Sequence, residues 1–399
     1  MSKIRILFIT HETSRTGAPI LILEFIKWIR RTHDVEPMII INRKGVLNSE
    51  FTEAAKTHFW YERKISINRS LGYKIYTRIY NSSFGRKIYD LQLKRKVLAK
   101  KPDLIYSNTI GNGEIIEFLN FLNAKVISHV HEGEYIINYL GKENLEQVKK
   151  RTDHFIACSR FVQNTLVDKF GFKKSSISLI YESIKDSSDI HPQALQYDDI
   201  ARIKKNGGRI IGGSGGLGWR KGTDFIIPLM REMVLLRKHI FYVWVGGEDF
   251  SDEYQKLRFD INIAGLSDNI LLIKSVPNPI DYYLHFDVFV LLSREDPFPL
   301  VCLENGLLKK PVLCFEGSGG IPELLEDEQD NIIPYSNFKK MAERINYLLE
   351  NKEISENIGT ALREKILKNF TTDTCFPQMY GVITSLLGNS LNIRSPFYK

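Results

Sequence analysis

The chain has 399 residues, of which 43% are hydrophobic and 26% are charged, and its formal net charge at pH 7 is +8. This balance is typical of a globular protein and excludes a disordered or fibrous one. The longest apolar runs are shorter than the roughly 18 residues of a membrane-spanning helix, and the four cysteines lack zinc-site spacing. We therefore expect two globular domains in a reducing compartment, without a membrane span, a signal peptide or a metal site.

Short apolar runs alternate with helical stretches in the first half of the chain. Residues 4–10 are predicted to form a buried strand, and residues 19–31 a helix with proline in its first turn, where proline is tolerated. The same pattern recurs in the runs VEPMIII, DLIYSN, KVISHVH, HFIACS and SISLIYESI. Such alternation predicts a parallel sheet with crossover helices.

A polar stretch, residues 185–208, follows and has the composition of an interdomain linker. A second series of strand-like runs begins after it, with RIIGGSGG, FYVWVGG, NILLIKSV, DVFVLLS and PVLCFEG. A last helix is predicted near residues 372–387. Two doubly wound domains predict a ligand cleft between them, at the carboxyl ends of the strands.

Positive charge is concentrated between Tyr61 and Lys101, where twelve basic residues accompany two acidic ones and tyrosines are interleaved. This pattern fits an anionic membrane surface or another polyanion, and a solvated helical surface without a partner is the alternative. No nucleic-acid-binding motif is present, so we favour the membrane and expect no nucleic acid. The predicted membrane or acceptor patch consists of Arg63, Lys64, Lys74, Arg78, Arg86, Lys87, Lys94, Arg95 and Lys96.

Two segments of the second half carry the chemistry. GGSGGLGWRKGTD, residues 212–224, follows a strand and precedes a helix, and its glycines let backbone amides approach an anion beside Arg220 and Lys221. In residues 293–327, Asp296 and Glu304 are eight apart around a helix predicted to begin near Pro299. The amino end of that helix favours a phosphate, and the two acids can each bind vicinal hydroxyls.

These segments resemble the retaining glycosyltransferases of family 4, which have the GT-B architecture. SREDPFPLVCLENGLLKK resembles the family's E-x7-E block, and WRKG its diphosphate-binding loop. HETSRTGAP, residues 11–19, is similar to the N-terminal glycine loop, HVHE, residues 129–132, to the central histidine motif, and FIACSRFV to the strand and turn at the domain edge. The resemblance covers roughly residues 4–370.

The resemblance implies a role for each matching residue. Glu304 would hold the ribose of a nucleotide-sugar, Asp296 would contact the transferred sugar, and Arg220 and Lys221 would neutralise the diphosphate. His131 would lie at the reacting centre, so that the catalytic set is His131, Asp296 and Glu304. The implied donor-binding set is Gly17, Arg220, Lys221, Val276, Leu300, Val301 and Glu304.

The resemblance also implies an α/β fold with two Rossmann-like domains facing across a cleft and a C-terminal helix that returns to the N-terminal domain. The expected domains are 1–190 for the acceptor, 191–371 for the nucleotide-sugar, and 372–399 for the crossover helix and tail. The expected reaction is metal-independent hexose transfer from a UDP- or GDP-linked sugar, without a cofactor, to a saccharide or lipid-linked saccharide. We place it in polysaccharide synthesis (lipopolysaccharide or capsule) at the inner face of the cytoplasmic membrane.

Two rivals remain from the sequence. An epimerase or phosphorylase acting on nucleotide-sugars has the same architecture, and donor alone separates it from a transferase, because an epimerase needs no acceptor. A non-catalytic, basic nucleic-acid-binding protein is the other rival, and it predicts salt-sensitive DNA or RNA binding.

Overall fold

The computed structural model describes residues 3–61, 71–186 and 198–388. The strands in these ranges are β1 (Ile4–Glu12), β2 (Val35–Arg43), β3 (Lys56–Phe59), β4 (Leu104–Ser107), β5 (Lys125–Val130), β6 (His154–Ala157), β7 (Ile177–Leu179), β8 (Arg209–Ser214), β9 (Ile240–Val245), β10 (Ile270–Ile273), β11 (Val288–Leu291), β12 (Val312–Phe315) and β13 (Ile332–Ile333).

The α-helices in the same ranges are α1 (Gly17–Thr32), α2 (Asn48–Ala54), α3 (Leu71–Tyr80), α4 (Ser83–Leu98), α5 (Gly113–Phe118), α6 (Glu134–Leu140), α7 (Lys142–Arg151), α8 (Arg160–Asn164), α9 (Asp198–Lys205), α10 (Ile226–Leu236), α11 (Asp252–Ile263), α12 (Ile280–Tyr283), α13 (Leu300–Leu307), α14 (Ile321–Leu324), α15 (Phe338–Glu350), α16 (Lys352–Asn369) and α17 (Thr372–Leu386).

The chain forms two compact units. The first comprises Met1–Cys158, Val162–Ile180 and Phe376–Lys399, and the second comprises Ser159–Phe161 and Tyr181–Cys375. Each unit is built around its own parallel sheet.

The sheet of the first unit has the strand order β3-β2-β1-β4-β5-β6-β7, and every pair of neighbours is parallel. Its central strands are apolar on both faces because helices cover both sides, and Leu7, Ile39 and Ile105 are fully buried. The order reverses between β1 and β4, which is the topological switch point of a doubly wound fold. The predicted Rossmann-like architecture is confirmed for this unit.

The second unit repeats the pattern with the order β10-β9-β8-β11-β12-β13, and its strands are again parallel. Its hydrophobic core packs one face of the sheet against α10 and α15 through Met230, Met233 and Ile345. The chain again reverses direction across the sheet, here between β8 and β11. Both predicted doubly wound folds are therefore present.

The last helix, α17, begins in the second unit and continues in the first. The ring of Phe376 lies 5.3 Å from that of Phe25 and 5.8 Å from that of Trp28, centroid to centroid, and the ring of Tyr380 lies 3.8 Å from that of His33. Aromatic pairs at these distances add to the stability that area burial provides. The predicted return of the C-terminal helix to the N-terminal domain is confirmed.

Two elements differ from the sequence analysis. The stretch interpreted as a linker contains α9, because Ile200 and Ile203, three residues apart on one face, are buried. β3 is absent from the predicted strands because the sequence KTHF has neither an apolar run nor a clear alternation. It forms by pairing with β2 at the edge of the sheet.

Among residues 3–61, 71–186 and 198–388, every helix is too short or too polar to span a bilayer.

Candidate functional site

The candidate site in the second unit lies at the carboxyl edge of its sheet. Because all six strands are parallel, the loops that follow β8, β9, β10, β11 and β12 emerge at this one edge. Hydrogen bonds tie several of them together. The Ser275 amide after β10 donates to the Gly247 carbonyl after β9, at 2.9 Å, and the Gly215 amide after β8 donates to the Val245 carbonyl, at 3.0 Å. Ligands of doubly wound sheets bind at this edge.

The loop after β8 needs glycine for steric reasons. Gly215 and Gly218 have φ of 138° and 150°, and Gly222 has φ of 65°. A Cβ atom at Gly222 would lie 2.0 Å from the Leu292 carbonyl oxygen, so no other residue fits there without a shift of backbone. This close approach joins the Trp219–Lys221 turn to the segment after β11, where the Arg294 amide donates to the Arg220 carbonyl at 2.8 Å.

Asp296 is at the centre of this junction. Its carboxylate accepts hydrogen bonds from Lys221 Nζ at 2.5 Å and Ser293 Oγ at 3.1 Å, and Arg220 Nη1 lies 3.4 Å away. Arg220 Nη1 also donates to the Glu295 carbonyl at 2.8 Å. Only 5% of the surface of Asp296 is exposed. The resemblance of the sequence predicts these two cations and this acid in one site, and in the structure they contact each other directly.

Two effects act on the pKa of Asp296. Burial raises it, since a buried carboxylate loses hydration, and the positive charges of Lys221 and Arg220 lower it. The charges outweigh burial, so the net pKa lies below the ordinary 3.8. Asp296 is therefore ionised at neutral pH and holds both cations in fixed positions.

Glu304 is the fifth residue of α13, which begins directly after Pro299 as predicted. Its side chain is partly buried, and among the described residues its carboxylate has no hydrogen bond and no ion pair. Burial raises its pKa from 4.5 to about 7. An acid with a strongly perturbed pKa and no internal partner at the ligand edge of a sheet is a strong candidate for ligand binding.

The raised pKa of Glu304 predicts a specific pH dependence of stability. Between about pH 4.5 and 7 the folded protein keeps a proton at Glu304 that the unfolded chain has lost, so stability falls as the pH rises through this window. Glu304→Gln removes this effect. We compare the free energy of unfolding of the variant with that of the wild type. This difference should shift in favour of the variant by about 2 kcal/mol from pH 5 to pH 8, a value that allows for the remaining exposure of Glu304. Urea unfolding at both pH values measures the difference, and an equal difference at pH 5 and pH 8 would contradict the assignment.

Three more of the predicted donor residues, Val276, Leu300 and Val301, also lie at this edge. The amides of Leu300 and Val301 belong to the first turn of α13, where helical N–H groups have no internal acceptor. Val276 follows the Ser275–Gly247 hydrogen bond, after the end of β10. The structure thus gathers Arg220, Lys221 and these three residues around the strand ends.

The first unit has its own carboxyl edge, and Gly17 and His131 lie there. Gly17 is the first residue of α1, after β1, and His131 follows β5. Asn108, after β4, joins the two segments. Its Nδ2 donates to the Ala18 carbonyl at 2.8 Å, and its Oδ1 accepts from His131 Nε2 at 3.0 Å. Because the Asn108 oxygen can only accept, the network assigns a proton to Nε2 of His131.

His129, two residues earlier, has a different environment. It is fully buried and its Nδ1 is 2.9 Å from the Tyr106 hydroxyl. Burial and the neighbouring His131 hold its pKa well below 6.5. His129 is therefore a neutral residue of the core, and the ring of His131 lies 4.0 Å from it, centroid to centroid.

Sequence reasoning missed three residues that position the others. Asn108 accepts a hydrogen bond from His131, and Ser293 donates one to Asp296. The Glu132 carboxylate accepts hydrogen bonds from the backbone amides of Ile110 and His131, at 3.2 and 3.0 Å. Each is a polar residue just beyond an apolar run, a position that lies at the carboxyl edge of a parallel sheet. That signal was available, but it marks many polar residues and does not name their partners.

Together, the site of the second unit offers a fixed pair of cations, a helix amino terminus and an acid that has no partner in the part of the chain that the structure describes. Such a set neutralises a diphosphate and binds hydroxyl groups. The site of the first unit offers a histidine held in one tautomer beside the start of a long helix.

Comparison with known families agrees with this geometry. Residues 17–187 match the family model "Glycosyltransferase Family 4", and residues 198–365 match "Glycosyl transferases group 1". A curated relative, the capsular polysaccharide biosynthesis glycosyltransferase CapM of Staphylococcus aureus, is 24% identical over 59% of this chain and 62% of its own length. The lipopolysaccharide core biosynthesis mannosyltransferase LpcC of Rhizobium leguminosarum bv. viciae is 25% identical over 51% of this chain and 59% of its own length. The chain thus spans about three fifths of these relatives.

Among solved structures, HepE of Anabaena in complex with UDP-glucose superposes with a TM-score of 0.77. The match covers 96% of this chain and 100% of HepE, at 16% sequence identity. At this identity the likeness establishes the shared fold.

Proposed function

Because this chain belongs to the family 4 glycosyltransferases of the GT-B architecture, we propose that it transfers a hexose from a nucleotide-sugar to a hydroxyl of a saccharide or lipid-linked saccharide. The anomeric configuration of the sugar is retained in the proposed reaction. The observation that carries the proposal is the cluster of Lys221, Arg220 and Asp296 at the same sheet edge as Glu304, an acid that has no hydrogen-bond or ion-pair partner among the described residues.

The cations act on the leaving group. When the bond between the sugar and the diphosphate breaks, negative charge develops on the diphosphate, and Lys221 and Arg220 stabilise it. Their positions are set before the donor binds, since Asp296 already holds them. The amides of Leu300 and Val301 add two donors without a side-chain charge.

The structure leads us to refine the role of Asp296. Its carboxylate is nearly buried and both oxygens face cations, at 2.5 and 3.4 Å. We propose that it acts on the donor through Lys221 and Arg220, as a positioning residue, and that contact with the transferred sugar is made through the backbone of its loop.

Glu304 is proposed to bind the ribose. Two vicinal hydroxyls can donate to the two oxygens of one carboxylate, and charge-assisted bonds of this kind are about twice as strong as neutral ones. Since Glu304 has no hydrogen-bond partner among residues 3–61, 71–186 and 198–388, it loses no hydrogen bond to these residues when the ribose binds. Ionised Glu304 is the better acceptor, so donor affinity should rise with pH through about 7.

In the first unit, we propose that His131 and Gly17 act at the reacting end of the donor. Asn108 fixes the ring of His131, and the amino terminus of α1 supplies backbone donors beside Gly17. The leaving phosphate would accept the proton of the acceptor hydroxyl, so no covalent enzyme intermediate and no metal ion is required.

The relatives suggest the biological setting. CapM and LpcC are named for capsular polysaccharide and lipopolysaccharide core biosynthesis, and we propose a role in cell-surface polysaccharide synthesis. The complex of HepE with UDP-glucose supports a UDP-linked donor, with a GDP-linked donor as the second candidate.

A panel of UDP-, GDP- and ADP-sugars, each tested by thermal shift, identifies the donor. A ligand that binds only the native state at a hundred times its dissociation constant adds about 2.7 kcal/mol of stability, so the matching donor should raise Tm clearly above its competitors. Incubation of that donor without acceptor then checks for an epimerase. A panel without any stabilising nucleotide-sugar would contradict the proposed donor site, and sugar conversion by donor alone would favour the epimerase.

A further inference from the structure

Helices α3 and α4 carry an unusual surface, which we call the α3–α4 face. Both helices belong to the segment with concentrated positive charge, of which Arg63 and Lys64 lie outside the described residues. Among the side chains of these helices that the structure describes, eight large hydrophobic ones are exposed: two tyrosines, one phenylalanine and five aliphatic residues. The members of the face are Tyr73, Ile75, Tyr76, Ile79, Phe84, Ile88, Leu91 and Leu98.

The exposed residues of α4 follow helical periodicity. Phe84, Ile88, Leu91 and Leu98 are separated by four, three and seven residues, so they form one stripe on the solvent side. The opposite side, with Gly85, Leu93 and Val97, is buried against the unit. Phe84 and Leu91 are 67% and 58% exposed. Such a stripe on the outside of a folded domain marks an interaction surface.

Charge decides the kind of partner. Arg95 lies within the stripe, and Lys87 flanks it. On α3, Lys74 and Arg78 alternate with Ile75 and Ile79.

Among the described residues none of these four cations has an ion-pair partner, whereas Arg86, on the inner side, pairs with Asp90 at 3.0 Å. Asp90 is the only acidic residue in the sequences of α3 and α4, and its carboxylate is already paired with Arg86.

We propose that the α3–α4 face docks this protein on an anionic lipid bilayer, with the aliphatic and aromatic side chains inserted at the interface and the cations on the headgroups. Apolar residues flanked by basic ones are the pattern of helices that lie in a membrane interface. Headgroup attraction acts within about a Debye length, and burial of the stripe adds a contribution that salt does not screen. The inference does not depend on the proposed transferase activity.

Co-sedimentation with vesicles tests the proposal. The probes are vesicles of phosphatidylcholine alone and of phosphatidylcholine with phosphatidylglycerol. We expect wild-type protein to bind the mixed vesicles and to retain part of its binding at high salt. Ile88→Gln/Leu91→Gln should lower binding by about tenfold, since two inserted side chains are lost. Lys87→Gln/Arg95→Gln should lower binding to the mixed vesicles and leave weak binding to phosphatidylcholine unchanged.

Matched controls come from the second unit. Leu235 and Ile263 are 81% and 70% exposed and lie outside the face, whereas Ile88 and Leu91 are 39% and 58% exposed. Leu235→Gln/Ile263→Gln therefore removes more exposed apolar surface than Ile88→Gln/Leu91→Gln. Lys339→Gln/Lys340→Gln removes two exposed charges. Both control pairs should bind vesicles like the wild type. All four variants replace exposed side chains, and unchanged Tm and donor-induced thermal shift verify the fold.

Three results would overturn the proposal. The first is equal wild-type binding to both kinds of vesicle, and the second is loss of binding in the controls as large as in the face variants. The third is a wild-type protein that is dimeric and does not bind vesicles, together with a monomeric Ile88→Gln/Leu91→Gln variant. The face would then join two copies of the chain. A failure to find a donor would leave the vesicle results intact, so the two proposals fail separately.

Discussion

Glu304→Ala should lower kcat/KM for the nucleotide-sugar by about a hundredfold. The variant loses two charge-assisted hydrogen bonds to the ribose, together worth about 3 kcal/mol. Its fold should be unharmed, since the Glu304 carboxylate has no partner to lose among the described residues and its burial as an anion is unfavourable. Steady-state kinetics and donor binding by calorimetry measure the effect.

Glu304→Gln is the matched control. It keeps the shape and one acceptor oxygen, so its donor affinity should lie between those of the wild type and Glu304→Ala. Its affinity should also lose the rise through about pH 7 that ionisation of Glu304 produces. Wild-type donor affinity in Glu304→Ala would refute the ribose assignment.

Lys221→Ala is expected to lower both stability and turnover. Asp296 is nearly buried and loses its nearest cation, which in a buried pair costs about 3 to 5 kcal/mol when no other partner remains. Since Arg220 and Ser293 still contact Asp296, we expect a loss of about 2 kcal/mol in urea unfolding. The variant also lacks the positive charge of Lys221 that stabilises the diphosphate, and this loss should reduce kcat by about tenfold or more.

A double variant separates the two effects. Lys221→Ala/Asp296→Ala also removes the buried carboxylate that has lost its nearest cation. Compared with Lys221→Ala, it should recover part of the stability but none of the turnover. Lys256→Ala is the control for the ion pair itself, because Lys256 also lies 2.5 Å from a carboxylate, that of Asp252, but is 62% exposed. It should leave the stability in urea unfolding almost unchanged, because solvent screens an exposed ion pair. Full turnover in Lys221→Ala would remove Lys221 from the donor site.

Much of the architecture could be predicted from local pattern. Buried parallel strands need continuous apolar runs because helices cover both faces, so β1, β2, β8 and β11 stand out as runs. The elements that escaped prediction are those whose sequences carry little hydrophobic pattern. β3 forms by pairing with the edge of β2, and α9 is stabilised because two of its isoleucines are buried.

The candidate site divides along a similar line. The glycine loop with Arg220 and Lys221 and the spacing of Asp296 and Glu304 are local features. The sequence therefore suffices to predict anion-binding and hydroxyl-binding groups at strand ends. Which groups meet was decided by the tertiary structure alone, since Lys221 and Asp296 are 75 residues apart. The two acids look alike in the sequence, but two cations keep the pKa of Asp296 low while burial without a partner raises that of Glu304. Likewise, the sequence shows a basic segment between Tyr61 and Lys101. Only the folded helices separate an inner face, with its ion pair, from an outer face with apolar side chains and with cations that have no ion-pair partner among the described residues, because exposure depends on what packs against each side.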